Sequence, residues 1–247
     1  MKIALVGATG FVGSKILAEA IARGHTVTAI RLHSKNVPRH QRVNPVYADI
    51  ADTTALSHVF SGHGVVIHCY TPPADPDAHA FVTAALKAGD HRLEKIANYV
   101  PPDPAAWDAH VQGRIQAQKV GTRSLIQAAK SAGMKRILAI GGAATLLIDG
   151  VPYIDRPDFP KVFEGGARCT AVIKDLLREE TEIDWTILCP PTMIVPGKRT
   201  GKFRLGLDDL LIAPDGSSSI SLEDFAMAAI DELENPQHTG RRFTVGY

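Results

Sequence analysis

Three glycines near the start of the chain have the types and spacing that phosphate binding requires. Gly7, Gly10 and Gly13 recur at every third residue. They follow the short apolar run 2–6, which is typical of a parallel strand buried on both faces. The next segment carries apolar residues at helical spacing: Ile16, Leu17, Ala20 and Ile21. Strand, glycine turn and helix in this order predict the first half of a βαβ unit that binds a dinucleotide.

Each glycine has a separate task in such a turn. Gly7 allows the chain to leave the strand sharply, Gly10 lets the backbone approach a pyrophosphate, and Gly13 lets the helix pack closely on the strand. The phosphates would then lie against free N–H groups at the positive end of the helix. We therefore predict cofactor contacts along the whole loop: Gly7, Ala8, Thr9, Gly10, Phe11, Val12 and Gly13.

The end of the next strand bears on which dinucleotide is bound. The β-branched segment 25–30 predicts a second strand, and Arg31 follows it, about twenty residues beyond the glycine loop. Enzymes that use NAD usually have an acidic residue there, whereas a guanidinium can bind the 2′-phosphate of NADP. Arg31, with Ser34 and Lys35 close behind, favours NADP(H). The alternative is that Arg31 is a surface arginine at a strand end.

Composition narrows the class of protein. The 247 residues fit one large α/β domain, and the net charge of +1 gives no argument for a nucleic-acid or membrane surface. No apolar run reaches the length of a membrane span. The three cysteines, Cys69, Cys169 and Cys189, lack metal-ligand spacing, so we expect buried reduced thiols in a cytoplasmic protein without a metal site. A monomer or a homodimer is expected.

The glycine loop and two later segments resemble a known family. Gly7-Ala-Thr-Gly-Phe-Val-Gly13 resembles the cofactor loop of atypical and extended short-chain dehydrogenases/reductases. The segment 120–136 resembles the helix that precedes the fifth strand of extended members. The stretch that begins with Gly141-Gly142-Ala143 is similar to the branch that resembles NADH-flavin reductases.

The resemblance implies roles for further residues. Asp49 and Ile50 would border the adenine, and Pro190 would border the nicotinamide end together with the residues up to Ile194. Cys69 ends a predicted fourth strand, 64–69, and Tyr70 follows it, at the sheet edge where open α/β folds bind ligands. Together with Gly141 and Gly142, these residues complete the predicted cofactor site.

The catalytic pair of the wider family is missing. Catalytic members carry Tyr-x-x-x-Lys, in which tyrosine is the general acid and lysine lowers its pKa. No tyrosine of this chain has lysine four residues later. Thr145 is the nearest candidate for the residue that orients a substrate carbonyl, and Tyr153 or Tyr70 could serve as a displaced acid.

The predicted fold is a doubly wound parallel sheet, the Rossmann fold, of about seven strands in a single domain, 1–247. Residues 190–219 would add a small C-terminal lobe on the substrate side, with a hairpin over 200–217. Compared with compact members of the flavin-reductase-like branch, segment 75–107 looks like an insertion. Its helix near 78–97 predicts an ordered lid.

Three functions are compatible with these features. The first is an NAD(P)H-dependent reductase that transfers a hydride to a flavin such as FMN or FAD, to a quinone or to a similar small acceptor. Such an acceptor needs no dedicated side-chain acid. The second is an epimerase, dehydratase or carbonyl reductase with a displaced acid. The third is a regulator without catalysis that senses the NADP(H) redox state. Fold alone does not separate them.

Overall fold

A mostly parallel sheet of eight strands forms the centre of the molecule. The computed structural model describes residues 1–31, 37–87 and 99–247, without the side chains of residues 31 and 85–87. The strands of the sheet are β1 (Lys2–Val6), β2 (Thr26–Arg31), β3 (Val43–Tyr47), β4 (Val65–His68), β5 (Arg136–Ile140), β8 (Asp184–Cys189), β10 (Arg204–Gly206) and β12 (Arg241–Gly246). Two pairs of short strands lie outside it: β6 (Leu147–Ile148) with β7 (Val151–Pro152), and β9 (Met193–Val195) with β11 (Ser219–Ser221).

The strand order reverses next to β1. The order across the sheet is β10-β12-β8-β5-β4-β1-β2-β3, and every pair is parallel except β10 with β12. The chain therefore builds outward from β1 to β3 and then returns to place β4 on the other side of β1. In open α/β sheets, a crevice for ligands forms beyond the carboxyl ends of the strands at this reversal.

Helices cover both faces of the sheet. They are α1 (Gly13–Ala22), α2 (Thr53–Phe60), α3 (Pro76–Lys87), α4 (Pro104–Ser131), α5 (Glu164–Arg178) and α6 (Leu222–Glu234). One core cluster contains residues of α1 and α6, and the other contains residues of α2, α4 and α5. Alternate residues of β1 enter different clusters: Ile3 and Leu5 the first, Ala4 and Val6 the second. Burial on both faces explains why β1 is an uninterrupted apolar run.

A third, smaller cluster joins the start of α3 to the start of α4. The Tyr99 ring lies 5.2 Å from that of Phe81 and 5.7 Å from that of Trp107. Val162 and Phe163, immediately before α5, pack against the same cluster. Part of the predicted insertion is thus packed against the ends of α4 and α5. The remainder, residues 88–98, lies outside the described residues.

The predicted fold class is confirmed, with differences in detail. All seven expected strands are present, and β10 is an eighth, an antiparallel edge strand. The hairpin predicted within 200–217 is wrong, because β10 pairs with the C-terminal strand β12 and not with the segment that follows it. In the described part of the chain, no helix combines the length and apolar character that crossing a membrane requires.

Candidate functional site

A cavity of about 370 Å³ lies at the carboxyl ends of β1, β2, β4 and β5, where the strand order reverses. Residues of the glycine loop form one wall, and residues that follow β4 and β5 form the other. Its lining comprises Val6, Gly7, Thr9, Gly10, Phe11, Val12, Ile30, Ala48, Ile50, Cys69, Tyr70, Thr71, Ile140, Gly141 and Thr170. We call it the cofactor cavity.

The three loop glycines differ in what surrounds them. A Cβ on Gly7, where φ is +87°, would lie 2.3 Å from the carbonyl oxygen of Cys69. A Cβ on Gly13 would lie 2.2 Å from the carbonyl oxygen of Gly7. At both positions a side chain is therefore excluded by the protein's own main chain, whether or not a ligand is bound. At Gly10 the nearest atom would be the Gly7 oxygen at 3.3 Å, so Gly10 keeps open the space in front of the loop.

The loop also presents unused hydrogen-bond donors. Within the described residues, the backbone N–H groups of Phe11, Val12 and Gly13 have no partner, whereas that of Ser14 donates to the carbonyl of Gly10. Val12, which precedes α1, supplies no side-chain cap. Free N–H groups at a helix N-terminus beside an open glycine suit a pyrophosphate, so the residues present fit a dinucleotide.

Most predicted cofactor residues surround this cavity, and a few do not. Ala8 is buried in the core, and Gly13 packs under the loop. The exposed Asp49 accepts a hydrogen bond from the N–H of Ala51, between the lining residues Ala48 and Ile50. Arg31 ends β2, but its side chain lies outside the description, as do Ser34 and Lys35 entirely. The roles of these residues stay predictions.

A second cavity, of about 230 Å³, adjoins the first. We call it the acceptor cavity. Most of its wall is apolar, with rings from Tyr153, Phe159 and Phe163. Its lining comprises Gly142, Ala143, Ala144, Tyr153, Phe159, Phe163, Gly166, Ala167, Thr170, Pro190, Pro191, Thr192 and Ile194. Thr170 lines both cavities, and the adjacent glycines Gly141 and Gly142 line one each, so the two spaces meet there.

Tyr153 lies in the acceptor cavity, as a displaced acid would have to. Its ring meets that of Phe159 edge-on, with the ring centres 5.0 Å apart. Burial and the nearby Asp158 carboxylate raise the pKa of the phenol, and Arg156 opposes this only in part. A general acid works best when its pKa lies near the working pH, so these surroundings disfavour Tyr153 in that role.

Thr145 does not reach either cavity. It ends a 3₁₀ turn, Ala143–Thr145, and is 4% exposed. Its hydroxyl donates to the carbonyl of Gly142 at 3.1 Å, and the Sγ of Cys189 lies 3.9 Å away. The orientation of Thr145 is therefore that of a residue that stabilises the turn.

Thr170 places a hydroxyl group where the two cavities meet. It lies on α5, with its hydroxyl donating to the carbonyl of Ala167 at 2.8 Å. The sequence contains a signal for it, because Lys174 follows four residues later, as in Tyr-x-x-x-Lys but with threonine first. Because the motif Tyr-x-x-x-Lys requires tyrosine in the first position, Thr170 and Lys174 do not match it.

Burial keeps the titratable groups at the end of β4 neutral. It raises the pKa of the Cys69 thiol to about 12 and lowers the pKa of His68 to about 4. For Tyr70, burial and then the Asp49 carboxylate raise the pKa. Across the described residues, no group of three or more His, Cys, Asp or Glu side chains is arranged to hold a metal ion.

Comparisons with known proteins agree with this geometry. Residues 7–236 match the model of a family described as NAD(P)H-binding. The chain is 32% identical, over 99% of its length and 98% of the relative's, to the uncharacterized protein YwnB of Bacillus subtilis. A crystal structure of a proposed epimerase from Bacteroides thetaiotaomicron is 31% identical, with a TM-score of 0.79 and coverage of 100% of this chain and 96% of that one. The crystal structure of a proposed NADH-flavin reductase from Streptococcus pneumoniae is 26% identical, with a TM-score of 0.69 and coverage of 100% of this chain and 99% of that one.

The chain belongs to the NAD(P)H-binding family, and the resemblance read from the glycine loop is confirmed. The two structures carry different proposed activities, an epimerase and a flavin reductase. Their likeness therefore establishes the fold and the class of cofactor, and the reaction must be argued from the site.

Proposed function

We propose that this protein is an NAD(P)H-dependent reductase that transfers a hydride to a flavin, a quinone or a similar planar acceptor. The bound nicotinamide cofactor supplies the hydride, and the acceptor takes it together with a proton from solvent. The protein's part is to bind both molecules face to face and to exclude water from between them.

The observation that carries this proposal is the acceptor cavity and its junction with the cofactor cavity. Its wall of aromatic rings and prolines suits a flat, largely apolar ring system. Four of its lining residues, Pro190, Pro191, Thr192 and Ile194, come from the start of segment 190–219. This supports the proposal that the segment forms a lobe on the substrate side.

The surroundings of Tyr153 support the same choice among reactions. Reduction of a carbonyl or epimerisation of a sugar requires an acid that protonates or deprotonates oxygen. The raised pKa of Tyr153 makes it a weak candidate, and Thr145 is turned away from the cavities. A flavin or quinone needs no such residue, since the ring itself stabilises the negative charge that arrives with the hydride.

Loss of NADPH absorbance with a panel of acceptors tests the proposal. We expect turnover with FMN or a simple quinone and none with an aldehyde. The matched control is Gly10→Val, in which the cofactor's space is filled and turnover should be lost. Turnover with the aldehyde alone would indicate carbonyl reduction, and tight NADPH binding without any turnover would indicate a sensor. Either result would overturn the proposal.

We further propose a preference for NADPH, carried by Arg31 at the end of β2. Loss of a charge-assisted contact to the 2′-phosphate costs on the order of 1.5–3 kcal/mol, or about one to two decades in affinity. We expect Arg31→Ala to weaken NADPH binding by that amount while NADH binding changes little. Calorimetric titration of both cofactors measures the difference. Equal affinities in the native protein would refute the preference.

A further inference from the structure

One partly buried cation near the two cavities has no counter-ion among the described residues. Arg114 lies on α4, and its Nη2 donates to the carbonyl oxygen of Pro72 at 3.0 Å. Its Nε is buried and has no hydrogen-bond partner. In the described residues, no carboxylate comes within 4.0 Å of the guanidinium, whereas most other arginines with low exposure there are paired, such as Arg23 and Arg136.

Asp75, the carboxylate whose charge acts on Arg114, is engaged in capping a helix. Asp75 lies close enough for its charge to raise the pKa of Arg114, although burial acts more strongly in the opposite direction. The Oδ1 of Asp75 accepts hydrogen bonds from the N–H groups of Asp77 and Ala78, each at 3.0 Å, and so caps the start of α3. Tyr70 and Cys169 also lie near Arg114. Burial raises the pKa of the Tyr70 phenol and of the Cys169 thiol, so both groups stay neutral and neither serves as a counter-ion.

A guanidinium stays protonated in proteins, so burial leaves Arg114 charged. A partly buried charge without an ion pair costs free energy, and such groups are concentrated at ligand-binding sites, where a ligand can complete the pair. The position of Arg114 therefore decides which ligand it could meet.

Arg114 lines neither cavity, but its guanidinium lies beside segments that border both. Pro72, its hydrogen-bond acceptor, directly follows Thr71, which lines the cofactor cavity. On the other side, a Cβ on Gly165 would lie 2.6 Å from Nη1, and one on Gly166 would lie 4.0 Å from Nη2. Gly166 lines the acceptor cavity. The guanidinium thus occupies space that a side chain at Gly165 would fill, next to a residue that lines the acceptor cavity.

We propose that Arg114 binds an anionic substituent of the acceptor, a phosphate, sulfonate or carboxylate, while the acceptor's ring lies among the aromatic side chains of the acceptor cavity. This inference rests on the proposed function and narrows its substrate class to planar acceptors that carry an acidic group. A guanidinium binds such groups through two parallel hydrogen bonds, which also fixes the orientation of the ring.

Two matched pairs of acceptors isolate the charge. FMN and riboflavin share one ring system, and so do naphthoquinone-2-sulfonate and menadione, but only the first member of each pair is anionic. In Arg114→Gln, we expect kcat/KM for the anionic members to fall by about tenfold or more, and that for the neutral members to change by less than about twofold. Arg114→Lys keeps the charge and should retain part of the preference. Arg123→Gln removes an exposed charge from the same helix and should behave as the native protein.

Equilibrium binding keeps this inference separate from the proposed reaction. Fluorescence titration of the NADP-loaded protein with FMN and with riboflavin needs no turnover. If NADPH is oxidised with none of the four acceptors, the proposed function fails, and the titration still decides the role of Arg114. Equal losses for FMN and riboflavin in Arg114→Gln would overturn the inference. So would a tenfold weaker binding of NADPH, which would assign Arg114 to the cofactor.

Discussion

The two cavities are built in different ways. On one side of the cofactor cavity the glycine loop presents main chain, since Gly7 and Gly13 lie against carbonyl oxygens and the loop has free N–H groups, and mostly apolar side chains line the rest. The wall of the acceptor cavity combines rings and prolines with small residues, and it comes from three separate stretches of the chain: 142–144, 153–170 and 190–194. The glycine-loop side of the cofactor cavity is fixed by main-chain geometry, whereas the shape of the acceptor cavity depends on which side chains its segments bring together.

This difference predicts where substitution is tolerated. At Gly7 and Gly13 a single added methyl group would collide with main-chain carbonyl oxygens, and at Gly10 a side chain would enter the space kept for the cofactor. In the acceptor cavity a changed side chain alters shape and polarity, and the backbone stays as it is. The first site should therefore serve one class of cofactor, while the second can be adapted to different acceptors on the same scaffold.

The largest expected effect comes from the glycine loop. Gly10→Val should leave the protein folded and weaken NADPH binding by more than about a hundredfold, or about 2.7 kcal/mol, because the side chain enters the space kept for the pyrophosphate. Gly13→Val should instead lower the free energy of unfolding by about 2 kcal/mol or more, because its Cβ meets the Gly7 carbonyl. Calorimetry and urea unfolding of both variants measure these effects. Unchanged NADPH affinity in a folded Gly10→Val would contradict the assignment of the loop.

The same contrast explains what the sequence could predict. The glycine loop and the strands of the central sheet are contiguous segments whose spacing and periodicity follow directly from their geometry, so they could be predicted residue by residue. The pairing of β10 could not, because the turn signal after it predicts a local hairpin, whereas β10 pairs with β12, a strand far away in the sequence.

The acceptor cavity was harder to predict for a related reason. Thr145 was the nearest hydroxyl by position after β5, but a 3₁₀ turn without a sequence signature directs it to the carbonyl of Gly142. Thr170 enters the site from α5, far away in sequence. Arg114 looks like a solvated charge on a long helix, and only the packing of α4 against α5 shows that it lacks a counter-ion.

A second prediction concerns pH and the wall of the cofactor cavity. His68 ends β4, is fully buried, and shares a hydrogen bond of 3.0 Å with the hydroxyl of Thr122. Burial lowers its pKa to about 4, whereas an unfolded histidine titrates near 6.5. As the pH falls below about 6.5, His68 becomes protonated in the unfolded chain but stays neutral in the folded protein. The free energy of unfolding therefore decreases with falling pH, down to about pH 4.

Between pH 7 and pH 5, this single group should lower the free energy of unfolding by about 2 kcal/mol. Urea unfolding at both pH values measures the loss in the native protein and in His68→Gln, where the loss should shrink by that amount. His58→Gln, at an exposed position of α2, is the control and should keep the native pH dependence. An identical pH dependence in His68→Gln would show that His68 is protonated without cost in the folded state.

The smallest expected effect concerns Tyr153 and the side-chain wall of the acceptor cavity. Tyr153→Phe keeps the ring and its edge-on contact with Phe159 and removes only the hydroxyl. If the acceptor is a flavin or a quinone, turnover should change by less than about tenfold, or under about 1.4 kcal/mol in the barrier. Tyr70→Phe, in the cofactor cavity, should have a similarly small effect.

Loss of a true general acid usually costs about a hundredfold or more. A fall of about three decades in Tyr153→Phe, with NADPH binding preserved, would mean that the hydroxyl protonates the substrate. The acceptor cavity would then be the site of a carbonyl reductase or an epimerase, and its aromatic wall would serve to raise the pKa of an acid instead of holding a ring.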